Sequence, residues 1–335
     1  LAFFVIFIIS NFYWVWLRAH PATIPHGTQS PEVACNAVPQ YYRLTEIERA
    51  MTKNNTIFVT GGTGNQGGAV ARNLSQQGFI VKVLTRNANS AKTQNLKNLN
   101  IELVQGDLND AGTYRKYLQD VYGIFSVQTF ESGVKKEINQ GITLATLGKE
   151  FGVKHFLYSS VAGANLNTGV PHMDSKFEIE NHIRQSGLPF TIIRPTSLYE
   201  NFLIPQVKKG ILKGKLVQPV NRGTIQHYIA AEDIGKAAVK IFQNSHEYLG
   251  RTIPLATEQL STQEVADAFT KVLNKQIDYK KLPVFITRLF LGNGLYKMFK
   301  WVNEKSVFTK EDVESTRKEF PNLLSLEKWI EMNFK

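Results

Sequence analysis

Apolar residues along the chain fall into short β-rich runs separated by stretches with helical spacing. Ile57, Phe58 and Val59 form the first run. A glycine-rich turn follows, and then Ala69, Val70, Ala71 and Leu74 give an apolar face at helical spacing, with Gly78 placed to close it. The alternation repeats. FIVKVLTR (79–86), IELVQ (101–105), YGIFSVQT (122–129), HFLYSS (155–160) and FTIIR (190–194) read as strands, and helices fill the gaps, one of them across 133–151. Apolar strands alternating with helices predict an α/β Rossmann fold. Its doubly wound parallel sheet has helices on both faces and takes ligands at the strands' C-terminal ends. After residue 195 the pattern loosens into helices and short strands, with helical stretches near 283–301, 309–318 and 325–334. That part predicts a smaller C-terminal α+β substrate lobe over the cleft. Residues 53–195 then form mainly the nucleotide-binding part and 196–335 mainly the substrate or partner lobe.

The first fifty residues do not belong to this pattern. The chain opens LAFFVIFIISNFYWVWLR, 17 mostly apolar residues and then Arg18. The run is slightly short for a membrane span, is interrupted by Ser10 and Asn11, and lacks the positive leading end of a signal peptide. Residues 19–50 are Pro-rich and polar without periodicity, a linker composition. The first Met is Met51, five residues ahead of the first strand. Residues 1–50 therefore read as an upstream extension or a mis-set start, and the domain as cytoplasmic. The alternative is a membrane anchor, with Trp14 and Trp16 near the interface and Arg18 keeping the domain on the cytoplasmic side.

Charge and cysteine usage narrow the function. The net charge is +11, all of it after residue 50, because residues 1–50 hold three Arg and three Glu. The basic residues are spread along the chain and no DNA-reading element is visible, so direct nucleic-acid binding is not expected. Anionic small molecules or partner surfaces fit better. Cys35 is the one cysteine. It excludes an internal disulfide and a cysteine metal site, and it fits a reducing compartment.

The turn after the first strand carries the chemistry. Its glycines match G-x-G-x-x-G at Gly62, Gly64 and Gly67, and G-x-x-G-x-x-G at Gly61, Gly64 and Gly67. Such a turn lets a pyrophosphate approach the backbone while the helix N-terminus offers N–H groups and a positive dipole. The strand–turn–helix context and the following strand at the right distance make dinucleotide binding the preferred reading. The second strand ends in Thr85-Arg86-Asn87, with Lys92 beyond. An acid there would repel a 2′-phosphate, whereas Arg86 can pair with one, so the cofactor reads as NADP(H) rather than NAD(H). Asp107, at the end of the third strand, is placed either for the adenine edge or to cap the next helix.

Several segments occur in one order: VTGGTGNQGGAVARNL, TRNANSAK, VQGDLND, HFLYSSV, SKFEIENHIRQSGLPFTIIRPTSLYENF and AAEDIGKAA. Together with the tail segments IPLATEQLSTQEVADAF and FPNLLSLEKWIEMNF, they resemble the NmrA-like family, an atypical branch of the extended short-chain dehydrogenase/reductase superfamily. The resemblance covers about residues 53–335, and the stretch from Ser175 to Phe202 is its most specific part. That family holds reductases of quinones, dyes and other electron-poor compounds, and also NADP(H)-binding redox sensors that act through protein contacts. The resemblance implies that Gly61, Gly64, Asn65, Gln66 and Gly67 line the pyrophosphate. It implies that Arg86 and Lys92 face the 2′-phosphate and that Asp107 and Leu108 flank the adenine. Gln128 and Thr129 would then lie near the cofactor, Lys176 beside the nicotinamide ribose, and Pro195 to Ser197 near the nicotinamide.

One departure matters. Short-chain dehydrogenases place a Tyr four residues before this Lys, on one helical face, where the Lys lowers the Tyr pKa for proton transfer. This chain reads HMDSK, with His172 in the tyrosine's place before Lys176. Tyr158 lies on the preceding strand and does not simply stand in, while Ser159 and Ser160 fall near the superfamily's catalytic hydroxyl. Two functions stay open. One is an NADPH-dependent reductase of quinone-like or carbonyl substrates, with Lys176 and His172 as the catalytic candidates. The other is a non-enzymatic NADP(H) sensor. His172 as an idle loop residue after Pro171 is also compatible. Asn201 and Phe202 are candidates for lining the substrate cleft, as are Tyr228, Tyr296, Phe299 and Trp301, although core packing is the common fate of aromatics. Asp233 reads as a helix-opening residue. No metal is expected, and the expected state is a monomer or homodimer.

Overall fold

The six apolar runs become six strands of one sheet in the computed structural model, which describes residues 55–97, 99, 101–130, 133–290, 292–305 and 308–335. They are β1 (Thr56–Val59), β2 (Ile80–Thr85), β3 (Glu102–Gln105), β4 (Gly123–Ser126), β5 (His155–Ser159) and β6 (Phe190–Pro195). The apolar opening run, the polar stretch after it and Cys35 lie outside the described residues. The strands stand in the order β6-β5-β4-β1-β2-β3, each parallel to its neighbours. The order reverses between β1 and β4, and in open sheets of this kind the ligand crevice lies at the C-terminal ends of the strands beside that reversal.

Helices α1 (Asn65–Gln76), α2 (Ala91–Lys97), α3 (Val134–Glu150) and α4 (Pro171–Gln185) connect these strands. Side chains alternate across the pleat. Ile57, Val59, Val81 and Val83 pack with Val70 and Leu74 of α1 on one face. Phe58, Ile124, Phe156 and Tyr158 pack with Leu144 of α3 and Ile179 of α4 on the other. Burial on both faces is why these strands read as continuous apolar runs.

The later half contributes β7 (Ser197–Leu198), α5 (Pro205–Leu212), β8 (Lys215–Gln218), β9 (Ile225–Ile229), α6 (Ala231–Gln243), α7 (Ser245–Tyr248) and β10 (Thr252–Leu255). It continues with β11 (Glu258–Ser261), α8 (Thr262–Leu273), β12 (Asp278–Lys281), α9 (Val284–Phe290), α10 (Gly292–Glu304), α11 (Lys310–Glu319) and α12 (Leu326–Phe334). Part of it returns to the main sheet. β10 adds a seventh strand beside β6, in parallel. α6 lies against α1 at Gly235, where a Cβ would stand 2.8 Å from the Ala69 carbonyl oxygen. From α11, the Thr316 hydroxyl donates to the Pro254 carbonyl of β10 at 3.1 Å. The remainder is a small lobe with a β11-β9-β7 sheet, a β12-β8 pair and its own core around Tyr199, Phe202, Tyr228, Phe269 and Trp329. The helical stretch expected near 283–301 comprises α9 and α10. Asp233 is fully buried in the first turn of α6, whose N-cap is Ala230. Its carboxylate accepts from the Leu324 N–H at 2.8 Å and from Lys236 Nζ at 2.9 Å, so it anchors the C-terminal segment as well as opening the helix.

Two sites in this scaffold generate predictions. Helices α3 and α4 meet at Gly141, where a Cβ would stand 2.6 Å from Ile179 Cδ1. Gly141→Val should cost about 1–3 kcal/mol by overpacking, and adding Ile179→Ala should make the double variant less destabilised than the sum of the singles. Urea denaturation of the four proteins checks this, and simple additivity would refute it. His155 is fully buried, shares a 2.7 Å hydrogen bond with the Thr191 hydroxyl, and is pushed by burial from 6.5 down to about 4. The unfolded chain therefore takes up the proton first. The stabilisation is full above about 6.5, shrinks as pH falls, and is gone by about 4, an expected swing of roughly 3 kcal/mol. His155→Gln should flatten this part of a stability–pH profile.

Candidate functional site

The crevice is built from the turns that follow β1, β2, β4 and β5. Gly61 has φ +65°, and a Cβ there would meet Val127 Cγ1 at 2.7 Å. At Gly67 a Cβ would stand 2.3 Å from the Thr60 carbonyl oxygen. Glycine is required at both, by conformation at the first and by close approach at the second. The Gly64 N–H donates to the Gly61 carbonyl at 2.9 Å, which closes the turn, and Gly64 is the N-cap of α1. Asn65, Gln66 and Gly67 form the first turn of α1, which carries no acidic residue, so its N-terminal N–H groups and dipole face the crevice unneutralised.

Two bolts hold this turn, and the sequence reading missed both. Buried Thr60 donates its hydroxyl to the Val127 carbonyl at 3.0 Å and accepts from the Val127 N–H at 2.8 Å, joining the turn to the end of β4. Ser159 donates its hydroxyl to Gln66 Oε1 at 2.7 Å, joining it to the end of β5. One of the two serines considered for a catalytic hydroxyl is therefore engaged in holding the turn. Thr60, directly after an apolar strand, was the only local signal.

Arg86 stands exposed one residue beyond β2 and makes no ion pair among the described residues. Lys92 lies on α2, and its side chain is outside the described residues. Asp107 does not cap a helix. Its Oδ1 accepts from the N–H and the side-chain amide of Asn109, each at 2.9 Å, while Asp110 caps the next helical turn through the Gly112 N–H. Leu108 is half-buried against the sheet core. Thr129 is exposed and Pro195 is buried at the end of β6. Gln128 is buried, donates Nε2 to the Ser126 hydroxyl at 2.9 Å, and leaves its buried Oε1 without a hydrogen-bond partner among the described residues.

Lys176 points into this region from α4 and is 9% exposed. Its Nζ donates to the Gln128 carbonyl at 3.2 Å and lies 3.0 Å from Glu137 Oε1 of α3. That contact is ionic without the alignment of a hydrogen bond. Glu137 is fully buried, and its Oε2 accepts from the Ser175 hydroxyl at 2.6 Å. The parallel packing of α3 on α4 through Gly141 and Ile179 brings Glu137 and Lys176 together one helical turn earlier. Nothing local marked Glu137, because its partners lie on another helix.

His172 is no loop residue. Pro171 opens α4 at a position that favours proline, and His172 is buried with its ring stacked 4.5 Å from that of Phe130. Burial holds its pKa below the ordinary value, with Glu137 pulling it up and Lys176 pushing it down. Tyr158 is wholly buried beneath Lys176, whose Nζ is 5.9 Å from the ring centre. Burial, and then the charges of Glu137 and Glu180, raise its pKa well above normal. A lowered pKa, as the superfamily's tyrosine needs, is thus not available to Tyr158.

The substrate candidates separate. Asn201 is exposed and reaches the Ser197 hydroxyl at 3.2 Å. Phe202 is a correction. It is 1% exposed, packed edge-on against Phe269 in the small-lobe core, and offers a ligand no surface. Tyr228 is buried in the same core. Tyr296, Phe299 and Trp301 are half-buried on α10. Taken together, the tight turn, the open helix end, exposed Arg86, the orphaned Gln128 Oε1 and buried Lys176 fit a phosphorylated dinucleotide laid across the strand ends.

Comparison with known proteins agrees with this geometry. The sequence profile of the NmrA-like family matches residues 53–332. An NmrA-like family domain-containing protein of Dictyostelium discoideum is 31% identical over 243 residues, 67% of this chain and 79% of that one. Among solved structures, the negative transcriptional regulator NmrA in complex with NADP superposes with a TM-score of 0.69 at 23% identity, covering 84% of this chain and 96% of that one. The NADPH-dependent quinone oxidoreductase of Escherichia coli complexed with NADPH gives 0.71 at 21% identity, covering 83% and 100%. The structural likenesses show a shared fold, and the profile match shows the family: this chain belongs to the NmrA-like family.

Proposed function

We propose that the chain is an NADPH-dependent reductase of quinone-like or carbonyl compounds that works without the usual tyrosine. The observation that carries this reading is Lys176, held at the crevice by Glu137 and the Gln128 carbonyl with no tyrosine four residues before it. When bound, the cofactor would supply a hydride. The turn from Gly61 to Gly67 and the N-terminus of α1 would bind its pyrophosphate, and Arg86 its 2′-phosphate. Lys176 would bond the ribose and place a cation where negative charge develops on the substrate oxygen. Glu137 and Ser175 act through Lys176 by fixing its position, and His172, stacked on Phe130, stands four residues before it on the same helix. The quinone oxidoreductase that shares this fold supports the substrate class.

A second reading rests on the same missing donor. A chain that binds NADP(H) without turnover would be a redox sensor, as the likeness to a transcriptional regulator solved with NADP allows. Such a sensor must discriminate the two redox states, since equal affinity shifts nothing.

NADPH oxidation across a quinone and aldehyde panel separates the two. Turnover is expected, with kcat/KM falling on the order of 100-fold in Lys176→Ala and about tenfold in Glu137→Gln, which keeps the Ser175 bond and loses the charge. Protein that binds NADPH and turns nothing over would establish the sensor. Arg86→Asp should weaken NADPH binding by roughly 10- to 100-fold and leave NADH binding little changed. Equal losses for both nucleotides in a titration would remove Arg86 from the 2′-phosphate.

A further inference from the structure

Among the described residues, the α9–α10 hairpin of the small lobe leaves apolar side chains in contact with solvent, two of them largely uncovered. α10 buries none of its residues. Leu295, Tyr296, Met298, Phe299, Trp301 and Val302 all remain half-buried. On α9, Phe285 is 64% and Leu289 75% exposed. The hairpin is nonetheless fixed at its base, where the Asn303 side-chain amide donates to the Pro219 carbonyl at 3.0 Å and its Oδ1 accepts from the Asn221 N–H at 2.6 Å. Exposed Phe285 and Leu289, flanked by the part-exposed apolar residues of α10, mark an interaction surface.

Charge selects the partner. From Lys280 to Lys305 the chain carries six basic residues against the single acid Glu304. Lys297 and Lys300 are exposed on the same helix as Tyr296 and Trp301. A second copy of this surface would set lysines against lysines, which opposes self-association. An anionic bilayer takes both halves of the surface. Its headgroup region accommodates aromatic rings and aliphatic side chains at the acyl boundary, and its phosphates meet lysine heads at the end of their flexible stems. We propose that the α9–α10 hairpin docks this domain on an anionic phospholipid surface. The proposal uses none of the groups assigned to the cofactor or to hydride transfer, so it stands or falls apart from the functional reading.

The test uses residues 51–335, so that the apolar opening run contributes nothing. This region forms its own compact unit, and solved chains of the same fold match it nearly end to end, so it folds alone. Co-sedimentation compares phosphatidylcholine vesicles with vesicles that also contain phosphatidylglycerol. Binding is expected only to the second, weakening as salt is added. Lys297→Gln with Lys300→Gln should lower partitioning ~30-fold, and Phe285→Ser with Leu289→Ser should abolish it. All four positions are exposed, and circular dichroism confirms that the variants fold. No binding to anionic vesicles, or equal binding by wild type and both double variants, overturns the proposal. So does a wild-type dimer in sedimentation velocity that Phe285→Ser with Leu289→Ser dissociates, because the apolar surface would then be covered by a second copy.

Discussion

A carboxylate removed entirely from water must be neutralised or paired, and Glu137 is held by Lys176 and Ser175. Stripping one partner from such a pair leaves a buried charge that costs several kcal/mol, so the two helices that carry it cannot separate freely. Gly141 makes the required approach possible by admitting Ile179 where any side chain would intrude. The constraint then travels through hydrogen bonds. Lys176 grips the carbonyl of Gln128, the neighbouring Val127 is locked to Thr60 by a reciprocal pair of bonds, and Thr60 leads directly into Gly61. The cation beside the crevice and the turn that would receive a pyrophosphate are therefore one connected body, tied together by the buried ion pair and the bonds between Thr60 and Val127.

The small lobe is attached in a comparable way. Glu258 accepts from the Tyr199 hydroxyl at 2.6 Å and from the Leu326 N–H at 2.7 Å. Glu200 accepts from the Ala231 N–H at 3.0 Å and from the Trp329 indole at 3.1 Å. Asp233 holds the Leu324 N–H. Each acid joins the last stretch of the chain, or the start of α6, to a segment far away in sequence. With β10 in the main sheet and α11 against β10, the lobe is tied to the Rossmann core at several places rather than carried on one linker.

Legibility in the sequence followed the range of the forces involved. The strands were readable because a parallel sheet buries most of both faces, so that TIFV, IVKVLT and HFLYS are largely apolar. The glycine turn was readable because φ at Gly61 and the space at Gly67 leave no alternative residue. Lys176 was found through its spacing and family resemblance. What escaped notice was non-local. Glu137 looks like any polar residue in the first turn of a helix until α4 is laid beside it. The bond from Ser159 to Gln66 spans 93 positions. RTIPLA gives a short strand wherever it goes, and only the return of the chain along α6 places it next to β6. Phe202 was misassigned because an aromatic beside a cleft and one in a neighbouring core share the same local sequence. The helical place of His172 is legible, since proline in the position before it is a helix-start signal.

The environment around HMDSK also bears on which substrates suit the site. Both side chains that could replace the missing tyrosine are shifted away from donating a proton near neutral pH. Burial and two carboxylates hold the Tyr158 hydroxyl as a weaker acid than usual, and burial keeps His172 in its neutral form. An aldehyde or ketone that accepts hydride becomes a strongly basic alkoxide, which calls for an acid in the same step. A quinone that accepts hydride becomes an aromatic phenolate-type anion, which persists until solvent protonates it and needs only a nearby cation. Lys176 is such a cation. Between the two substrate classes in the proposed function, the arrangement of charge therefore favours the quinone-like one.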